Sequence, residues 1–80
     1  MSSVPRIARA VPEGTVTRAE PPIAVIVTMR WSTGETTDVR AEAIAWTRRA
    51  VQVRWRPPGG AVRTDWVSAE DVRRPGRPLP

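Results

Sequence analysis

The feature that most constrains this chain is a period-two alternation of apolar and polar residues, broken at short intervals by turn-forming clusters. Val25, Val27, Met29 and Trp31 fall on one face of an extended segment, and Ala24, Ile26, Thr28 and Arg30 on the other. Ser32-Thr33-Gly34-Glu35 then reads as a turn, with a glycine available for positive φ. Residues 36–41 alternate again, with Thr37, Val39 and Ala41 inward and Asp38 and Arg40 outward. Residues 50–56 place Val51, Val53 and Trp55 on one face and Gln52, Arg54 and Arg56 on the other. Pro57-Pro58-Gly59-Gly60 is the strongest turn signal, and residues 61–67 return with Val62, Thr64 and Trp66 inward. Four strands at short, even spacing predict a small barrel or sandwich.

The remaining segments are less regular. Residues 42–47 suit either a helical turn or a short strand. Ser68-Ala69-Glu70-Asp71-Val72 predicts a short helical turn, with Ser68 as N-cap and Asp71 at capping-box spacing from it. Residues 1–22, with Pro5, Pro12, Pro21 and Pro22, predict a flexible arm, and residues 73–80 a basic, Pro-rich tail. Residues 23–72 are the expected folded unit. Within it Val27-Thr28-Met29-Arg30-Trp31 echoes Val51-Gln52-Val53-Arg54-Trp55, each followed by a turn and a returning strand.

Composition removes whole classes of chemistry. The chain has no cysteine and no histidine. Disulfides, thiolate or imidazole metal sites and the usual proton shuttle at neutral pH are therefore excluded. No metal or cofactor is expected. Serine and threonine have no histidine or lysine to activate them. Glu70 and Asp71 read as a solvated helix start, and Asp65 as an outward residue paired with Arg63. The expectation is a protein without catalysis. The opening residues lack the apolar core of a signal peptide, and the apolar run 23–27 is too short to span a bilayer. Together with the missing cysteine, this predicts a cytoplasmic location. All 13 basic residues are arginine and all 4 aromatic residues are tryptophan, as the codon usage of a GC-rich bacterium favours.

The order of strand, Trp31-Ser32-Thr33-Gly34-Glu35 turn, strand, residues 50–55, Pro-Gly turn, and a strand ending Asp65-Trp66-Val67 before Ser68-Ala69-Glu70-Asp71-Val72 resembles an SH3-like small barrel. In style it is similar to the Tudor-like and KOW-like domains. The resemblance spans residues 23–72 and is one of layout. The Gly-centred loop motif common in KOW-type domains has no clear counterpart here. The resemblance implies an all-β barrel of four to five antiparallel strands with a short helical turn, acting as a binding module.

Three binding surfaces follow. Arg48, Arg49, Arg54, Arg56 and Arg63 lie on or beside the third and fourth strands, and Arg73, Arg74 and Arg77 in the tail. With Trp46 available to stack on a base, they suit DNA or RNA. The tail Arg73-Arg74-Pro75-Gly76-Arg77-Pro78 resembles an AT-hook, with Pro75 in place of the first core arginine. It also has the P-x-x-P spacing of an SH3 ligand. Ile26, Trp46 and Val67 form the second surface, suited to a protein partner or homodimer, because the first strand is apolar on both faces. The third is an aromatic cage for a methylated cation, made by Trp31, Trp55 and Trp46. Net charge argues little for the folded unit: of the total of +5, residues 1–22 and 23–72 carry +1 each and residues 73–80 carry +3.

Overall fold

The computed structural model describes residues 7–75 as an all-β domain of five antiparallel strands and one 3-10 turn. The strands are β1 (Thr17–Arg30), β2 (Thr36–Trp46), β3 (Ala50–Trp55), β4 (Arg63–Ser68) and β5 (Val72–Arg73), and the turn is Ala69–Asp71. Their order across the sheet is β4-β3-β2-β1-β5. No pairing of β4 with β5 closes the sheet among the described residues. The turn begins as expected: Ser68 caps it, accepting a hydrogen bond from the Glu70 amide. Asp71 does not complete a capping box, because it is held by Arg30 instead.

β1 is longer than the alternation suggested. It starts at Thr17, so part of the expected arm joins the sheet, where Thr17 and Arg18 pair with Trp46 and Ala45. The register then slips before Ile23. Pro21 and Pro22 lie in that interval and lack the N–H a ladder needs, which hid the strand from pattern reading. Residues 42–47 also resolve into strand: β2 continues through Trp46, with a bulge between Ala43 and Ala45. The bulge interrupts the period-two pattern there.

One side of the sheet is the core. Val27 and Val53 are fully buried, and Met29, Val25, Ala43, Trp55 and Val67 are nearly so. Residues 7–10 complete it as a strap. Ile7 packs into the core and bridges Trp31, the Ala8 amide donates to the Arg30 carbonyl (2.7 Å), and the Ala10 amide donates to the Trp66 carbonyl (3.0 Å). The strap thus ties the end of β1 to β4, two strands that do not pair in the sheet.

β4 is phased opposite to expectation. Asp65 and Val67 face the core, Thr64 is exposed, Val62 precedes the strand in the open, and Trp66 is half-buried on the other face. Alternation alone predicts the large indole inward. The structure instead buries the carboxylate, because it supplies enough donors to satisfy it.

Candidate functional site

Ion pairing sorts the arginines. Arg63 is folded onto Asp65: its Nε donates to Oδ2 at 2.7 Å and its Nη2 to Oδ1 at 2.8 Å. Trp55 Nε1 donates to the same Oδ2 at 2.9 Å, and Arg9 lies 3.4 Å from Oδ1. Asp65 is only 2% exposed, yet all its bonding capacity faces donors. Asp65 holds the Arg63 guanidinium above its ordinary range through this hydrogen bond, with charge attraction adding to it. The Arg63 guanidinium also lies 5.9 Å from the Trp55 ring centre. Arg63 is therefore a brace, not part of a free basic edge.

Arg73 is likewise engaged. It donates to Thr28 Oγ1 at 3.2 Å and to Asp38 Oδ2 at 2.6 Å, while Thr28 donates to Asp38 Oδ1 at 2.8 Å. These bonds from Thr28 and Arg73 hold the Asp38 carboxyl below its ordinary value. Arg30 makes a bidentate pair with Asp71 at 2.9–3.1 Å, which raises its own pKa. Arg54 pairs with Glu42, its direct cross-strand neighbour, at 2.8 Å, but both side chains stay about half exposed.

Among the described residues, the side chains of Arg18, Arg40, Arg48, Arg49, Arg56 and Arg74 have no ion-pair partner. Arg48 and Arg49 form the β2–β3 turn, whose geometry is fixed by Thr47. The Thr47 amide donates to the Ala50 carbonyl, and its hydroxyl accepts from the Ala50 amide. The Arg49 carbonyl accepts from Ala69, which anchors the turn to the end of β4. Both arginines line a shallow depression with Ala10, Glu13 and Ser68. At the far end of β3, Arg40, Arg54 and Arg56 line a second shallow groove with Glu42 and the exposed Val62. Gln52 and Arg54 face outward between the two ends, with Trp66 and Thr64 as their partners on β4.

The structure separates residues that the sequence had grouped. Trp46 pairs with Thr17 and Val51, and Val51 with Val67, so Trp46 stands on the Val67 side of the sheet. Gln52 and Arg54 stand on the opposite side, so Trp46 does not share a face with the β3 arginines. Val67 is 3% exposed in the core and takes no part in a surface patch. Ile26 is half-buried on the outer face between its partners Arg40 and Arg73, on the other side of the sheet from Trp46. Arg77 and the rest of the AT-hook and P-x-x-P readings lie outside the described residues.

Trp31 and Trp55, which end the two echoing strands, meet edge to face at 6.2 Å. With Val39, Pro57 and Pro58 they line a cleft of about 510 Å³, bordered by Thr33, Glu35, Thr37 and Arg63. Trp31 Nε1 donates to Thr37, and Trp55 is almost fully buried. The protein's own Arg63 takes the place over Trp55 that a methylated cation needs, and Trp46 is not among the residues lining the cleft. Sequence reading missed Ile7 and Arg9 as structural partners; it paired Asp65 with Arg63 but placed the carboxylate outward. The one available signal was that Asp65 lies two residues after Arg63 in a strand, on the same face.

Comparison with known proteins returns no matching family model, no matching curated relative and no matching solved structure.

Proposed function

We propose that this chain is a non-catalytic binding module that associates with nucleic acid through the outer face of β3 and its two flanking turns. We also infer an SH3-like barrel. The strand order β4-β3-β2-β1-β5 supports this, as do the 3-10 turn between β4 and β5 and the strap that links β1 to β4.

The observation that carries the nucleic-acid reading is the distribution of unpaired cations. The carboxylates neutralise Arg30, Arg63 and Arg73 elsewhere, while Arg48 and Arg49 at one end of β3, and Arg40 and Arg56 at the other, remain available. Arginine suits phosphate because its planar fork donates two parallel hydrogen bonds. The test is fluorescence anisotropy with labelled oligonucleotides across a salt series. Contact with three or four phosphates gives a slope of about −2 to −4 in log affinity against log salt. A combined Arg48→Ala, Arg49→Ala variant lowers that slope by about 1 to 2. Absence of binding at low salt overturns the reading.

A second reading, a protein partner, is favoured by the cleft of Trp31, Val39, Trp55, Pro57 and Pro58. Aromatic-lined clefts receive extended, Pro-containing peptides. Val39→Arg obstructs this cleft and leaves the arginine face untouched. A peptide ligand lost on this substitution, with nucleic-acid binding unchanged, marks the protein-partner reading.

A further inference from the structure

Beside the outer face of β3, its neighbour β4 carries an aromatic ring, Trp66, that the arginine clusters flank. Arg18, Ala45, Gln52 and Trp66 are successive cross-strand partners, so they form one row, in which Ala45 is buried, Gln52 and Trp66 are half-buried and Arg18 is exposed, on the face opposite the Val53 and Val67 cluster. The next row in the direction of Arg56 is Ala24, Glu42, Arg54 and Thr64. Along β3, Gln52 stands three residues from Arg49 and four from Arg56, about 10 and 13 Å at the rise of an extended strand. Trp66, beside Gln52, is thus near the middle of a basic stripe about 23 Å long.

Trp66 differs from the two indoles that close the core, Trp31 and Trp55; Trp46, on the core side by register, likewise has no side-chain hydrogen bond or aromatic partner among the described residues. Trp31 and Trp55 pack on one another, and each donates its ring N–H to a side chain. Among the described residues the Trp66 side chain has no hydrogen bond, no aromatic partner and no cation over its face. It is half-buried, so its base is held while part of its surface meets solvent, and its backbone is fixed on both edges by β3 and by Ala10. A ring held this way among arginines is a stacking platform.

We propose that Trp66 stacks an unpaired base, and that the ligand of the β3 face is single-stranded nucleic acid with its phosphates on Arg48 and Arg49 to one side and Arg54 and Arg56 to the other. This rests on the nucleic-acid reading above and sharpens it. A duplex presents its phosphates to such a stripe but keeps its bases stacked on each other, so it gains nothing from Trp66. A single strand exposes a π-face at every base, and each stacked base contributes materially and without sequence preference.

The test uses the full chain with oligothymidylate and oligouridylate of about 12 nucleotides, within the site sizes of single-strand binders, and a duplex of equal length. The wild-type chain binds the single strands more tightly than the duplex, and binding quenches its tryptophan fluorescence. Trp66→Ala weakens single-strand binding about ten- to a hundred-fold and leaves duplex binding nearly unchanged. Trp66→Phe keeps an aromatic face, retains most of the affinity and loses the quenching, and so remains informative if the alanine variant folds poorly. Trp46→Phe, on the other face, keeps both affinity and quenching. Equal binding of single strand and duplex, or quenching that survives Trp66→Phe, overturns the inference. If the Arg48/Arg49 variant loses binding and Trp66→Ala does not, only the stacking role fails. If the wild-type chain binds no nucleic acid, the broader reading fails with it.

Discussion

Arg63 with Asp65 on β4 and Arg54 with Glu42 across β3 and β2 are made of the same groups at nearly the same distances, 2.7 and 2.8 Å. They differ in where the carboxylate sits. Asp65 is 2% exposed and Glu42 is 50% exposed. A buried carboxylate is tolerated only when its lone pairs are satisfied, and Asp65 has Trp55, Arg63 and Arg9 around it. It therefore fixes the structure. An exposed pair in water is worth little and exchanges readily for another anion. In the proposed complex Arg54 would trade Glu42 for a phosphate, whereas Arg63 would stay on Asp65. The contrast teaches that counting arginines on a strand does not count binding arginines.

Mutations break this comparison in a definite order. Asp65→Ala has the largest effect, because it leaves the Trp55 ring N–H and the Arg63 guanidinium without their acceptor in or beside the core. We expect a loss of about 3 kcal/mol in urea unfolding, against less than about 0.5 kcal/mol for Glu42→Ala. Equal losses from the two substitutions would show that burial does not separate the pairs. Ile7→Ala comes next, at about 2 kcal/mol, since it removes the strap's anchor from the core. If stability is unchanged, the strap is not part of the cooperative unit. Arg54→Ala changes stability by no more than about 0.5 kcal/mol while weakening oligonucleotide binding several-fold at low salt. A stability loss as large as that of Asp65→Ala would contradict the distinction drawn here.

Acid supplies the mildest perturbation. Asp38 is exposed, and its folded-state pKa lies below the ordinary value of 3.8 because Thr28 and Arg73 bond to its ionised form. A lowered folded-state pKa means the group stabilises the fold above its unfolded value, and that contribution is lost as pH falls through the folded value. The β5 contacts at Arg73 therefore loosen below the ordinary carboxylate range, as pH falls through that lowered value. Amide exchange at Val72 and Arg73 followed down through that range measures this. Asp38→Asn should already show the faster exchange at neutral pH and lose the acid-dependent step. A wild-type protection factor, taken against the intrinsic exchange rate, that does not change with pH would remove Asp38 from the anchoring of β5.

Parts of this molecule are legible in its sequence alone. Val25, Val27 and Met29 alternate with polar partners, and the structure buries them as that pattern requires. The Ser68 cap and the short turn after β4 follow from local chemistry, which acts over a few residues. The start of β1 was not legible, because Pro21 and Pro22 read as an end to regular structure although strand continues on both sides of them. For the proposed site the sequence grouped the β3 arginines, but not which of them are engaged by carboxylates, and it offered another aromatic residue beside them. Trp46 was the natural choice for the β3 face, and the bulge in β2 together with the cross-strand register places Trp66 there instead.

By itself the sequence determined that the chain forms short antiparallel strands around an aliphatic and tryptophan core, because side-chain alternation and turn chemistry are local properties. It also determined that thiolate and imidazole chemistry is closed to it, through the absence of cysteine and histidine. Tertiary structure decided which face of β4 turned inward. That choice depended on donors from Arg63, Trp55 and Arg9, two of them distant in sequence from Asp65. It also decided which arginines remained unpaired, since each ion pair other than Arg63 with Asp65 joins residues brought together only by strand pairing or by the strap. Alternation gives two faces without naming the inner one; burial of a satisfied carboxylate settled that question for β4, and with it the side on which Trp66 meets solvent.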